Sequence, residues 1–235
     1  MFLPDNPWPA TLWQEMERAA RAACEGRNAG HDHGHVERVT RAAAAFASKE
    51  PCDRKVVLAA ALLHELVNHP KHHERSPMSG DDCARAAGNL LAALGVDPGI
   101  GESVSACIAN HGWSAGKAPP SIEAAVLQDA DRLDALGAIG LARCVATGVE
   151  MGAALFHPDD PFALNRKLDD KAYSLDHLAR KLFKLPGTFH TAAAREMALS
   201  RVAFLRLFVS QVAEELGTEV PPGPAWGGFT SPPTP

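Results

Sequence analysis

Four short segments, far apart in the chain, carry side chains of the types that bind metal ions. They are residues 30–35 (GHDHGH), 62–66 (LLHEL), 109–112 (ANHG) and 128–134 (QDADRLD). Imidazoles and carboxylates on separate helices are how a helical bundle builds a divalent-metal site that faces its interior. The residue types and their spacing therefore predict a metal-dependent hydrolase.

Histidine is concentrated in one part of the chain, with seven of the eleven histidines between residues 31 and 73. His31 and His35 are four residues apart, so a helix places them on one face. A solvated, flexible histidine-rich turn explains the same residues without a ligand. Their spacing alone leaves both interpretations open.

Two of the segments place polar side chains in apolar surroundings. His64 and Glu65 follow the apolar residues 59–63, and a buried polar pair is costly unless both groups are satisfied. The alternative is a core histidine bonded to the backbone, with Glu65 turned to solvent. Asp131 poses the same question, because a salt bridge involving Asp131 and Arg132 would also explain it.

Helix-forming sequence runs along most of the chain, which is rich in alanine and poor in β-branched residues. A capping box at Thr11 and Gln14 and N-caps at Asp53, Asp97 and Ser121 predict four of the helix starts. The predicted helices cover about residues 11–25, 32–50, 53–67, 79–94, 97–110, 121–134, 138–149, 170–185 and 188–216. Residues 151–170 lack periodicity and are predicted to form a long ordered loop. We predict an all-α single domain over residues 1–217, followed by a Pro/Gly-rich tail over residues 218–235.

Composition and charge exclude several classes of protein. A net charge of −5 offers no basic field for a duplex nucleic acid. No apolar run reaches the ~18 residues of a membrane span, and the N-terminus lacks the basic and apolar regions of a signal peptide. The five cysteines are dispersed, with no C-x-x-C pair, which indicates reduced thiols in a cytoplasmic protein.

The order of the candidate ligands resembles the H…HD…D signature of the HD-domain phosphohydrolase superfamily. His35 matches its first histidine, His64 and Glu65 its doublet, and Asp131 its last aspartate. Further stretches resemble the bacterial YedJ-like branch of that superfamily: HDxxHxxRV at 31–39, LLHELVN at 62–68, NHGWS at 110–114, QDADRLDALGAIGLAR at 128–143 and LDDKxY at 168–173. The resemblance spans about residues 12–216.

This resemblance implies a single-domain HD-type helical bundle whose metal ligands are His35, His64, Glu65 and Asp131. Glu65 departs from the family, which has aspartate there. Glutamate keeps the charge and the oxygen donors but is one methylene longer. His111 and Asn68, which lie in two of the matching stretches, are predicted to take part in catalysis.

Two imidazoles and two carboxylates with open positions suit Mn²⁺, Fe²⁺, Co²⁺ or Ni²⁺ better than Zn²⁺, with Mg²⁺ as a further option. A bound divalent ion acidifies water and withdraws charge from a phosphoryl oxygen. Phosphoryl transfer also needs cationic groups around the phosphate, for which we predict Lys71, Arg132 and Lys171. Asp32, Asp129 and Asp134 are predicted to accept hydrogen bonds that orient His35, His31 or Arg132, and His31 is placed with them among the residues that support the ligands.

Together these observations predict a cytoplasmic phosphohydrolase that uses metal-activated water on a nucleotide or another small phosphate ester or anhydride. Two alternatives stay open. One is an HD-type hydratase or di-iron oxygenase, and the other is a metal- or nucleotide-binding HD domain without turnover, marked by Glu65. The expected partner is a small phosphorylated molecule, with no duplex nucleic acid and no membrane, and a homodimer is left open.

Overall fold

The computed structural model describes residues 3, 5–27, 30–69, 73–112, 116, 118–223 and 225–226. Within these residues the chain is built from α-helices, and its one β-type contact is a single bridge between Ala154 and Tyr173. The predicted all-α class is confirmed. No helix among the described residues is long and apolar enough to cross a membrane.

In chain order the α-helices are α1 (Ala10–Ala23), α2 (His33–Ala47), α3 (Arg54–Leu63), α4 (Ser79–Ala93), α5 (Pro98–Ala109), α6 (Ile122–Leu133), α7 (Gly137–Glu150), α8 (Ser174–Arg180) and α9 (Ala192–Glu215). Short 3₁₀ segments lie at Ser76–Met78 and Leu182–Thr188. The helix predicted over residues 170–185 is therefore split into α8 and a 3₁₀ segment. Lys181, at φ −127° and ψ −59°, leaves the helical conformation after Arg180, and the 3₁₀ segment that contains Pro186 follows.

Three of the four predicted helix starts are confirmed, because each N-cap side chain accepts hydrogen bonds from backbone N–H groups in the first turn of its helix. Asp53 Oδ1 accepts hydrogen bonds from the backbone N–H groups of Lys55 and Val56, and Asp97 and Ser121 cap α5 and α6 in the same way. The capping box predicted at Thr11 is wrong. Helix α1 begins one residue earlier, with Pro9 as N-cap and no side-chain cap, because the fixed φ of proline already directs the chain into the helix.

The chain forms two compact units, of which the first comprises Met1–Asp134 and Phe189–Ala194. Helix α3 is the central element of this unit and contacts α1, α2, α5 and α6. Its residues from Val57 to Leu63 are fully buried. Because α3 is buried on every face, its C-terminal end lies inside the unit, and the polar residues His64 and Glu65 that follow it are buried as well.

The second unit comprises Ala135–Thr188 and Arg195–Pro235. Its buried residues include Asp176, which forms an ion pair with Arg166, and Trp226, which is 3% exposed. The indole Nε1 of Trp226 donates to the carbonyl of Phe162 at 2.9 Å. Part of the predicted tail thus packs within the second unit, while the division of the chain at residue 217 stays a prediction.

Candidate metal centre

Three predicted ligands meet inside the first unit, each from a different helix. His35 lies in the first turn of α2, His64 caps the C-terminal end of α3, and Asp131 lies in the last turn of α6. His35 Nε2 is 3.2 Å from His64 Nε2 and 3.4 Å from Asp131 Oδ1. One candidate ligand atom from each of the three side chains lies within 4.8 Å of the other two.

Hydrogen bonds at Nδ1 set the direction of both imidazoles. His64 Nδ1 donates to the carbonyl of Ala61 at 2.7 Å, and His35 Nδ1 donates to Asp134 Oδ2 at 2.8 Å. Because a carbonyl oxygen only accepts, His64 carries its proton on Nδ1 and directs the Nε2 lone pair at the centre. Two Nε2 atoms and a carboxylate that converge in this way can share only a cation, either a proton or a metal ion. The donor set therefore fits a divalent metal.

The electrostatics of the centre favour the ligating forms of these groups. Burial, followed by the charge of His35, lowers the pKa of His64 to about 4, so this imidazole is neutral at neutral pH. Burial raises the pKa of Asp131, but the hydrogen bond with His35 and the nearby imidazoles outweigh it and hold that pKa below its ordinary value. The centre thus offers a neutral imidazole and an ionised carboxylate.

Glu65 borders this trio rather than completing it. Its Oε1 is 2.8 Å from His31 Nδ1 and 4.0 Å from His35 Nε2. Its Oε2 accepts from Asn68 Nδ2 at 2.8 Å and from Arg27 Nη1 at 3.1 Å. Burial raises the pKa of Glu65, but the hydrogen bond with His31 and the charges of nearby imidazoles outweigh it and lower the pKa to about 2. Glu65 is consequently an ionised carboxylate with one oxygen towards the centre.

The chain is similar to known proteins over most of its length. Residues 33–136 match the family model described as the HD domain. The chain is 31% identical to the uncharacterized protein YpgQ of Bacillus subtilis over 193 residues, and this matching stretch covers 80% of this chain and 86% of YpgQ. The chain belongs to the HD-domain family.

Solved structures resemble this chain over most of its length. A structure of Bacillus subtilis YpgQ in complex with ADP has a TM-score of 0.68 at 27% identity, covering 87% of this chain and 95% of that one. A structure described as an HD-superfamily hydrolase from Bacillus thuringiensis has a TM-score of 0.67 at 29% identity, covering 88% of this chain and all of that one. The predicted HD-type helical bundle is confirmed.

The acidic residues around the candidate ligands differ in the groups that they bind. Asp134 accepts from His35 and forms a two-pronged ion pair with Arg38, at 2.7 and 3.0 Å, so it fixes the direction of the His35 imidazole, a predicted ligand. Asp32 is the N-cap of α2 and accepts from the backbone N–H of His35 at 2.7 Å. Both therefore fix the turn from which His35 reaches the centre.

Asp129 differs from its predicted role of orienting His31, His35 or Arg132. Its carboxylate accepts from the backbone N–H groups of His190 and Thr191 and from the Thr191 hydroxyl, all between 2.8 and 3.2 Å. Asp129 is fully buried and secures the segment that enters α9. The reason is rotational, because Asp129 lies two residues before Asp131 on α6 and so faces another side of the helix.

His111 stands next to the HD doublet. Its ring centroid is 5.3 Å from that of His64, and its Nδ1 donates to the carbonyl of Ile108 at 2.6 Å. Its Nε2 is thus the nitrogen that can gain or lose a proton. The catalytic role predicted for His111 is compatible with this position, and Asn68 reaches the centre through Glu65.

The three predicted phosphate-binding cations have different surroundings. Arg132 Nη2 donates to Gln128 Oε1 at 2.7 Å, and Nη1 lies 3.2 Å from His190 Nε2. Lys171 belongs to the second unit, where it is exposed. Lys71 lies outside the described residues. All three assignments stay predictions.

Three side chains that support the candidate ligands were not predicted from the sequence. Arg38 holds Asp134, and its place in the HDxxHxxRV stretch was a usable signal. The buried thiol of Cys83 lies 3.1 Å from the carbonyl of His64 and 3.3 Å from that of Leu63. Arg27 binds Glu65 across 38 residues of sequence, and no motif pointed to it.

Proposed function

We propose that the protein is a metal-dependent phosphohydrolase that acts on a nucleotide or another small phosphate ester or anhydride. The observation that carries this proposal is the convergence of three ligand atoms: His64 Nε2 and Asp131 Oδ1 lie 3.2 and 3.4 Å from His35 Nε2. Membership of the HD-domain family and the HD-superfamily hydrolases among the similar structures support hydrolysis. The YpgQ structure described as a complex with ADP supports a nucleotide.

His35, His64 and Asp131 would hold the metal, with Glu65 Oε1 at the edge of the same site. A divalent ion held there would supply Lewis acidity to a phosphoryl oxygen and acidify a water molecule. The candidate metals are Mn²⁺, Fe²⁺, Co²⁺ and Ni²⁺ ahead of Zn²⁺, with Mg²⁺ as a further option, because the donors are imidazole nitrogens and carboxylate oxygens.

The chain's own residues supply positioning and proton transfer. Asp134 and the Ala61 carbonyl keep both ligand imidazoles in one orientation, so the site needs little rearrangement when it is loaded. His111 Nε2 is placed to hold or deliver a proton to the leaving oxygen, since its Nδ1 is committed to Ile108. Asn68 keeps Glu65 in place, and Arg132 is the predicted phosphate-binding cation among the described residues of the first unit.

The proposal includes the finer assignments that the sequence suggests. These are membership of the YedJ-like branch, a cytoplasmic location and an assembly for which a homodimer is left open.

One observation favours a second candidate function, a metal- or nucleotide-binding HD domain without turnover. Glu65 is held by Arg27, His31 and Asn68, so three ligands rather than four converge tightly.

Hydrolysis can be tested on the purified chain. Its metal content is measured first, and the metal is then removed with a chelator. Mn²⁺, Fe²⁺, Co²⁺, Ni²⁺, Zn²⁺ or Mg²⁺ is added back one at a time, and each metal form is assayed for hydrolysis of a panel of nucleotides and phosphate esters. We expect phosphate or nucleoside monophosphate release that disappears on chelation, returns with a transition metal and is absent in D131N. Metal and nucleotide binding with no product would establish the second candidate instead.

A further inference from the structure

Arg27 makes a three-point contact with the end of α3. Its Nη1 donates to the backbone carbonyl of Glu65 at 2.6 Å and to Glu65 Oε2 at 3.1 Å, and its Nη2 donates to the carbonyl of Leu66 at 3.4 Å. The Arg27 side chain is 20% exposed and that of Glu65 is 7% exposed. A planar guanidinium presents its N–H donors in a rigid fork that suits such contacts together, whereas an ammonium group offers its donors from a single atom on a flexible stem.

This contact depends on the length of the Glu65 side chain. A glutamate carries its carboxylate about 1.5 Å farther from the backbone than an aspartate, the length of one C–C bond. With the side chain shortened by that amount, the 3.1 Å contact between Arg27 and Oε2 would be lost. Arg27 and Glu65 are therefore matched in reach.

The two oxygens of Glu65 are used differently. Oε2 receives hydrogen bonds from both Arg27 and Asn68, which occupies its two lone pairs. Oε1 contacts His31, whose side chain is 44% exposed, and it is the oxygen nearer to His35 Nε2, at 4.0 Å. A single oxygen is thus left facing the centre.

We propose that Arg27 is a positioning residue that holds Glu65 by Oε2 and by its backbone carbonyl, so that Oε1 alone binds the metal. This inference rests on the metal site of the proposed function. Two effects of Arg27 oppose each other, because its charge repels a cation while its hydrogen bonds orient a ligand. The orienting effect dominates, since the Arg27 charge is already paired with that of Glu65.

A double-mutant cycle with Co²⁺ tests this assignment. Metal-free parent, R27Q, E65Q and the double variant are titrated with Co²⁺ by calorimetry, and the absorption spectrum of each Co²⁺ form is recorded. Loss of a group that orients a ligand costs roughly 10–100-fold in metal affinity. We expect that loss for R27Q in the parent, a loss below about 3-fold in the E65Q background, and Co²⁺ spectra of R27Q and E65Q that resemble each other.

Two further variants separate geometry from charge. R27K keeps the charge without the fork, so it should also weaken Co²⁺ binding, and it carries the comparison if R27Q does not fold. R21Q removes an equal charge from an arginine that pairs with Glu17 and Glu37, and its Co²⁺ affinity should stay within about 2-fold of the parent because that charge is solvated.

The possible outcomes have distinct meanings. Tighter Co²⁺ binding by R27Q in both backgrounds would show that only the charge matters and would overturn the inference. Equal affinity of parent, R27Q and R27K would overturn it as well, while leaving the metal site intact. Failure of the parent itself to bind any divalent ion would overturn the proposed function and the inference together.

Discussion

Asp134 Oδ2 lies 2.8 Å from His35 Nδ1, a hydrogen bond between residues 99 positions apart in the sequence. The same carboxylate accepts two hydrogen bonds from the Arg38 guanidinium, and Asp134 is only 4% exposed. A carboxylate held in this way keeps the proton on Nδ1 and leaves the Nε2 lone pair facing the candidate metal centre. The connection between α6 and α2 therefore determines which nitrogen of His35 is presented.

The D134N variant tests this connection. An amide can donate to Nδ1 and thereby move the proton to Nε2, so metal affinity should fall by roughly 10–100-fold. The weakened contact with Arg38 should also lower the free energy of unfolding by roughly 1–3 kcal/mol. Calorimetric metal titration and denaturant unfolding measure the two effects. D129N is the matched control, which should lose stability but keep its metal affinity; equal metal affinity in both variants would contradict the assignment.

The central ligands should be separable from the fold. H64A and D131A each remove one of three converging donors, so we expect both to lose tight metal binding while their far-ultraviolet circular dichroism remains helical. Elemental analysis after gel filtration measures the bound metal. Stoichiometric metal in both variants would refute the ligand set.

Glu65 is the residue at which this chain departs from the HD signature. If Oε1 is a ligand, E65Q should weaken metal binding strongly, because the amide brings no charge. E65D gives the aspartate of the HD signature, whose shorter reach does not use the Arg27 contact, so it should retain metal. Its turnover should change, since a displacement of about 1 Å at a reacting centre can cost ~100-fold in rate. Metal titration and steady-state kinetics check these expectations. Wild-type metal affinity and turnover in E65Q would remove Glu65 from the ligand set.

The stability of the metal-free protein should depend on pH through His64. The unfolded imidazole takes up a proton near its ordinary pKa of 6.5, while the folded one does so only near 4. The unfolded state therefore binds more protons in this window, and the free energy of unfolding falls as the pH drops from 6.5 to 4. A shift of this size amounts to about 3 kcal/mol. Denaturant unfolding in chelator should show this slope, and it should flatten in H64Q; an unchanged slope in that variant would assign it to other groups.

The buried thiols should be chemically inert in the native protein. Burial raises the pKa of Cys83 to about 11 and that of Cys107 to about 12, so neither offers a thiolate at neutral pH. Iodoacetamide should label the more exposed Cys52 first, and in denaturant all cysteines should react alike. Peptide mass spectrometry of a labelling time course gives the order. Native labelling of Cys83 as fast as Cys52 would show that the end of α3 opens readily.

The sequence by itself determined the features that depend on neighbouring residues. The caps at Asp53, Asp97 and Ser121 use hydrogen bonds that span only two or three residues, so composition and spacing reveal them. The candidate ligands His35 and His64 were recognisable because their order along the chain matches a family signature. The capping box at Thr11 was wrong because a nearby proline provides another way to begin the same helix.

Only the tertiary structure decided how the acidic and basic residues pair. Asp129, Asp131 and Asp134 share one short stretch, yet Asp131 meets His35 Nε2, Asp134 meets Nδ1, and Asp129 faces the segment before α9. Which carboxylate does which depends on the rotation of α6 against its neighbours, and spacing alone does not specify it. Arg27 shows the same limit. Its partner Glu65 is 38 residues away in the sequence, and only the packing of the chain brings the two side chains together.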